Sequence, residues 1–178
     1  CARGGYTKVF LMPNTNPVVS SADMALQIDK EASAYGLARV IQTVSITKDF
    51  EGTDISHLDE LDGHFIPVIT EDGHDVASAA VMLDGMTVAS KKGIVVSCHC
   101  EDNELAKKAR PFRVKALDLM EKYHLPAWGG SFDDMDEIPD EVFDEIDSYL
   151  TRANDILALA EDTATARNIA IARLADCH

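Results

Sequence analysis

Four short apolar runs along the chain each end in a cluster of polar residues. They are VFLMPNTN at 9–16, VIQTVSITKD at 40–49, FIPVITEDGHD at 65–75 and IVVSCHCEDN at 94–103. Segments with apolar residues at helical spacing separate them. Runs of strand length alternating with helices predict parallel strands joined by helical crossovers, as in a β/α barrel or an open parallel sheet. Such folds place their sites at the carboxyl ends of the strands. Function is therefore sought just past the apolar runs, at Asn14, Asp72 and His99.

The same pattern sets the element boundaries. Strands are expected at 8–12, 39–46, 65–69 and 94–98. Ser21 is placed to cap a helix over 22–35, with Met24, Ile28 and Ala32 on one face and Gly36 at its end. A short helix is expected over 55–61. A longer one over 76–92 turns Ala80, Leu83 and Val88 inward and stops at Gly93. Beyond residue 103 the alternation lapses. Glu104–Tyr123 reads as one amphipathic helix, and Leu125–Gly130 as a turn-rich loop. Residues 133–147 are strongly acidic and read as a solvated loop and helix start. A helix over 139–161 follows, and Thr163 is read as the cap of another that reaches Ala175.

Composition narrows the class. The 178 residues are 46% hydrophobic and 26% charged, enough for one globular domain with a real core. A formal net charge of −15 argues against nucleic acid and against an anionic membrane surface as partners. No run approaches the ~20 apolar residues of a membrane span, and no basic-then-apolar leader opens the chain. The cysteines Cys1, Cys98, Cys100 and Cys177 are spaced as reduced thiols rather than as a secreted disulfide framework, which points to the cytoplasm. The first residues look like a helix closing into a strand, and the last like a strand beginning. A whole β/α barrel takes ~250 residues. The chain is therefore expected to be part of a longer protein, cut at both ends.

Three positions carry candidate chemistry. His99 ends an apolar run between Cys98 and Cys100. Strand alternation sends the histidine to one face and the thiols to the other, which makes poor geometry for a zinc knot from adjacent residues. His99 alone, at a barrel mouth, suits metal binding or acid–base work. A core histidine bonded to backbone is the competing reading. Asp72, ahead of Gly73, suits metal coordination, because glycine lets backbone and ligand approach closely. Asp-Gly is equally a common turn pair. Asn14 sits in the rigid string Met12-Pro13-Asn14-Thr15-Asn16-Pro17, where its amide can bind a carboxylate or amide substrate or simply close a turn. His57, His64, His74 and His124 read as surface or structural residues. His178 is the last residue. Neither a glycine-rich phosphate loop nor a GxSxG elbow is present in the sequence.

Taken together, these strings resemble class I dihydroorotases. The resemblance rests on Gly4-Gly5-Tyr6-Thr7 leading to MPNTNP, on Glu71-Asp72-Gly73, and on His99-Cys100-Glu101-Asp102-Asn103, in that order and at those separations. It covers residues 1–108. It returns near 153–178, where Arg167-Asn168-Ile169-Ala170 and Ala175-Asp176-Cys177-His178 look like the approach to a further metal-binding histidine. The implied fold is α/β: part of a (β/α)8 barrel of the amidohydrolase superfamily, truncated at both ends. Strand–helix units would span 1–108, a helical and acidic insertion about 109–151, and a return to the barrel 152–178.

The resemblance implies zinc, one or two ions, with Asp72 and His99 as ligands and Asn14 binding substrate. It implies interconversion of N-carbamoyl-L-aspartate and L-dihydroorotate in pyrimidine synthesis. In that family the metal activates water and polarises the amide carbonyl. Hydantoinases and the other dihydroorotase class place a carboxylated lysine at this strand end. The segment here is Thr70-Glu71-Asp72-Gly73, without lysine, which favours class I dihydroorotase over a hydantoinase or allantoinase. A non-catalytic dihydroorotase-like structural partner is the third reading. The family's His-x-His-x-x-Arg segment would precede residue 1. A later zinc histidine and the general-base Asp would follow residue 178, so no catalytic base is expected within the chain. Asp72 and His99 supply two of the three protein ligands of a catalytic zinc site. On its own the chain is expected to bind zinc weakly or not at all and to be inactive. Homo-oligomer formation and the role of the acidic segment 132–147 are left open by the sequence.

Overall fold

The computed structural model describes residues 1–126 and 138–177. The segment 127–137, with Trp128 and much of the acidic stretch, and His178 lie outside the described residues. Two compact units emerge, one of Cys1–Cys100 together with Thr165 onward, the other of Glu101–Ala164.

The first unit is built on parallel strands. β1 (Lys8–Leu11) pairs with β2 (Arg39–Gln42), with Lys8 opposite Arg39. β3 (Val44–Ser45) pairs with β4 (Val68–Thr70), and β4 with β5 (Val95–Ser97), both parallel. The parallel α/β architecture expected from the apolar rhythm is what forms. The second expected strand, 39–46, is split at Thr43 into β2 and β3. Up to Thr43 the chain bonds β1, and the Thr43 N–H donates to the Leu11 carbonyl at 3.0 Å. At Ser45 the partner is instead Val19, whose carbonyl accepts the Ser45 N–H at 3.0 Å. On the other side the Ile46 N–H donates to Thr70 at 3.3 Å. One extended segment therefore serves two ladders. The third strand falls at Val68–Thr70 rather than 65–69, because Asp62 folds its predecessors into a turn: its carbonyl accepts the N–H groups of Phe65 and Ile66.

Helices cross between the strands. α1 (Ala22–Ser33) starts where Ser21 accepts the Met24 N–H at 3.3 Å, a cap of about 1 kcal/mol. The expected short helix at 55–61 is a 3-10 turn over Ser56–Glu60. α2 (Ala79–Lys92) starts later than residue 76, at the Ser78 cap, and ends at Gly93 in the left-handed conformation with φ +66°. There the Ile94 N–H reaches back to Ala89 at 2.9 Å, the backbone reversal that favours glycine. The buried face of α2 is Met82, Gly85, Met86 and Ala89. Ala80 is exposed and Leu83 only partly buried and outside the core packing, so the expected inward face is corrected at these two, while Val88 does pack against the core. A Cβ at Gly85 would stand 3.1 Å from Ile46 Cγ2. Glycine at this position lets the helix sit close on the sheet.

The core of this unit gathers Val44, Ile46, Ile66 and Ile69 from the strand side. Val19, Leu58, Val76, Met82, Met86 and Ile94 close around them. The second unit contains α3 (Asn103–Lys122), capped by Asp102, whose carboxylate accepts the N–H groups of Glu104 and Leu105. α4 (Asp140–Ala175) is one continuous helix. The expected break at Thr163 is absent: its hydroxyl donates to the Leu159 carbonyl at 2.7 Å, within the helix, rather than capping a new one. Within this unit Ala116 packs with Val142 and Ile146, and the Asp102 N–H donates to Ala160 at 3.2 Å.

Candidate functional site

The polar loops at the strand ends come together as the parallel topology requires. Asn14 follows β1 and Asp72 follows β4, 58 residues apart in sequence. The Asn14 side-chain amide donates to Asp72 Oδ2 at 2.5 Å. Asn14 is exposed and Asp72 half-buried, so the pair faces solvent. Gly73, at φ +77°, turns the chain away immediately after the carboxylate, and the His74 N–H closes that turn on the Glu71 carbonyl at 2.9 Å.

Beneath Asp72 lies Glu71, 2% exposed. Its Oε2 accepts the N–H groups of Ile46 and Thr47, each at 2.9 Å, and its Oε1 accepts the Thr47 hydroxyl. The Thr47 oxygen in turn accepts the Gly52 N–H at 3.0 Å. Burial pushes the Glu71 carboxyl above the ordinary glutamate range, while these hydrogen bonds pull it back. At the junction of β2 and β3, Gln42 and Thr43 hold the start of the Asn14 loop. Gln42 Nε2 donates to the Leu11 and Met12 carbonyls at 3.2 and 3.3 Å, and Thr43 Oγ1 to Leu11 at 2.7 Å.

His99 follows β5 and is half-buried. It lies near enough to Asp75 to pull that carboxyl down. Asp75 is buried and ion-pairs with Arg167 at 2.7 Å; burial, the larger effect, still raises its carboxyl above the usual aspartate range. Arg167 also binds the Asn168 side-chain oxygen at 2.9 Å. Cys98 and Cys100 share the other face with Val96. They line an apolar cavity of about 150 Å³ with Met86, Asn168 and Cys177, from which His99 is absent. None of the four cysteines is in a disulfide, and burial, helped by the neighbouring Cys100, pushes the Cys98 thiol up to about 12.

The remaining histidines vary in setting. His57 is buried, with Nε2 2.9 Å from the Ser45 carbonyl. His74 is exposed and stacks on Phe50 at 5.2 Å. Of the three sequence candidates, the structure thus brings Asn14 and Asp72 together and sets His99 beside Asp75. Glu71 and Asp75 escaped the reading as individual residues. For Glu71 a signal existed: period-two alternation puts it on the same side as Ile69, so a charge faces the core. Asp75 lies beyond the strand, where no periodicity applies.

Carboxylate and imidazole are suitable zinc ligands. Among the described residues, however, no group of three or more His, Cys, Asp and Glu is placed to hold a metal ion. The described donors alone do not complete a catalytic zinc site.

These features define an α/β protein with parallel strands and a polar, carboxylate-bearing cluster at the strand ends. The family described as dihydro-orotase-like matches residues 1–125, and the chain belongs to it. Similar proteins include the dihydroorotase of Clostridium botulinum, 34% identical over 106 residues, covering 59% of this chain and 27% of that protein. The dihydroorotase of Aquifex aeolicus is 35% identical over 103 residues, covering 58% and 24%. That of Brevibacillus brevis is 38% identical over 103 residues, with the same coverage. The chain spans about a quarter of the length of these curated relatives.

Proposed function

We propose that this chain contributes the strand-end loops of a class I dihydroorotase. That enzyme would interconvert N-carbamoyl-L-aspartate and L-dihydroorotate. The observation that carries the reading is the Asn14–Asp72 contact at 2.5 Å, made between the carboxyl ends of β1 and β4 in a chain of this family. β1, the β2–β3 segment, β4 and β5 are read as four consecutive staves of a β/α barrel, with 109–151 as an insertion and 152–178 as the return to the barrel. Asp72 and His99 are assigned as zinc ligands, to be joined by donors other than the described ones. Asn14 is assigned to substrate. Its amide can donate to a substrate carboxylate or ring carbonyl once released from Asp72, and the Asp72 carboxylate then accepts elsewhere. That none of the cysteines is in a disulfide supports a cytoplasmic location.

The test is turnover of L-dihydroorotate, with hydantoin and allantoin as competitors for the assignment, by the protein as expressed from its own gene. Metal analysis accompanies it. Preferential ring opening of dihydroorotate by a zinc-containing protein supports the reading. Turnover of hydantoin or allantoin instead would move it to another cyclic amidohydrolase. A folded protein with neither zinc nor turnover would make it a non-catalytic homologue.

A further inference from the structure

A charge buried directly under the candidate site calls for a reason. Glu71 is 2% exposed and closes β4. An apolar residue there would extend the core contributed by Ile69 and Ile46. The carboxylate instead reaches sideways to the end of β3 and takes two backbone N–H groups, of Ile46 and Thr47, on one oxygen and the Thr47 hydroxyl on the other. Its own carbonyl takes the His74 N–H. The turn 71–74 is thus anchored at one residue by side chain and by backbone. Asp72 rides on that turn, and its carboxylate meets Asn14, which belongs to a separate loop.

We infer that Glu71 is a positioning residue. Its buried carboxylate fixes the turn that carries Asp72 against the end of β3 and so sets where Asp72 meets Asn14. The inference deepens the proposed function, since it rests on reading Asn14 and Asp72 as the working pair. Its physical core, control of the Asn14–Asp72 contact by Glu71, can be read without any enzyme assay.

The experiment uses the protein as expressed from its own gene and compares Glu71→Gln, Glu71→Ala and Thr47→Val. Glutamine keeps the shape: its carbonyl oxygen can take both backbone N–H groups while its amide faces the Thr47 hydroxyl. Alanine removes all three bonds. Valine at 47 removes only the hydroxyl. The Asn14 side-chain NH2 resonances report the contact with Asp72, and amide-exchange protection of Val68–Thr70 reports the strand. Glu71→Ala should move the Asn14 resonances to free-amide positions, with strand protection retained. Glu71→Gln should restore them, and Thr47→Val should give an intermediate shift. Turnover of dihydroorotate should follow the same order, falling about 10²-fold in Glu71→Ala, as expected for an ångström-scale misplacement. If Glu71→Ala leaves the Asn14 resonances in place, or Glu71→Gln fails to restore them, the inference is wrong. Should Glu71→Ala not fold, unmoved Asn14 resonances in Thr47→Val overturn it instead. If wild-type protein turns over no dihydroorotate, the functional reading fails, while the Asn14 signals still decide this one.

Discussion

Among the described glycines Gly63 has the least room for a Cβ, and it offers a sharp test of how β4 is held. It lies in the turn that feeds β4. A Cβ added there would stand 2.2 Å from the Lys92 carbonyl oxygen and 3.2 Å from both the Gly93 oxygen and Ile94 Cγ1. Ordinary contact begins at 3.4 Å, so turn and helix end must part by about 1 Å. Neither side yields easily. The Lys92 carbonyl is backbone at the capped end of α2, and the same lysine's Nζ donates to Asp59 and Leu61 at 2.8 and 2.9 Å. Overpacking of this kind costs about 1–3 kcal/mol, and a weakened hydrogen bond adds about 1. Gly63→Ala is therefore expected to destabilise by about 2–4 kcal/mol. Gly36→Ala is the control. It has φ +60° and nothing within 4 Å of the added carbon, so it carries only the left-handed penalty of about 1–2 kcal/mol. Urea unfolding followed by circular dichroism gives both values from the shift in midpoint at constant slope. Amide exchange at Val68–Thr70 should locate the loss in β4. If Gly63→Ala proves no more costly than Gly36→Ala, the close approach of turn to helix is refuted, and with it this account of how β4 is seated.

Three further outcomes are expected. Asn14→Ala removes an exposed group, so stability should change by no more than about 1 kcal/mol, while, on the proposed function, kcat/KM for dihydroorotate of the protein as expressed from its own gene falls at least about tenfold. Equal turnover would remove Asn14 from the site. Burial raises the Asp29 carboxyl above its ordinary 3.8, although the Gln42 N–H and Arg39 pull the other way. Across the window from 3.8 up to the raised value, the native state holds more protons than the unfolded one, and stability declines as pH rises. Asp29→Asn keeps an acceptor for the Gln42 N–H, so its stability relative to wild type should climb as pH rises through that window and then level off. A flat difference in urea midpoints against pH would contradict the burial argument. Finally, an alkylating reagent at mildly alkaline pH should label exposed Cys1 first and Cys98 last, because thiolate is the reactive form and burial keeps Cys98 protonated. Peptide mapping of early Cys98 adducts would show otherwise.

How far the sequence reached depended on which physical signal each residue carried. Strand ends were legible because a short β-branched run closed by Pro-Asn or Asp-Gly leaves few alternatives, and parallel topology then obliges those ends to share one side of the sheet. Asn14 and Asp72 meet for that reason. The inward face of α2 was legible at Val88 but not in the first turn, because Ala79, Ala80, Val81, Met82 and Leu83 are apolar all round and periodicity cannot choose among them. Gly85 marked the face more surely, since a helix keeps glycine where another backbone or branched side chain comes close, as Ile46 does here. Thr163 misled for a related reason. A threonine hydroxyl can cap a helix or bond back to the fourth carbonyl before it, and with no glycine or proline nearby to interrupt the backbone the second option prevails. Glu71 is the instructive case. Its parity with Ile69 already says that a carboxylate points into the core, yet only the fold supplies the end of β3 as its partner. A buried acid beside a candidate ligand, bonded to a neighbouring strand rather than to solvent, is where sequence parity and tertiary geometry jointly indicate that the position of the next residue matters.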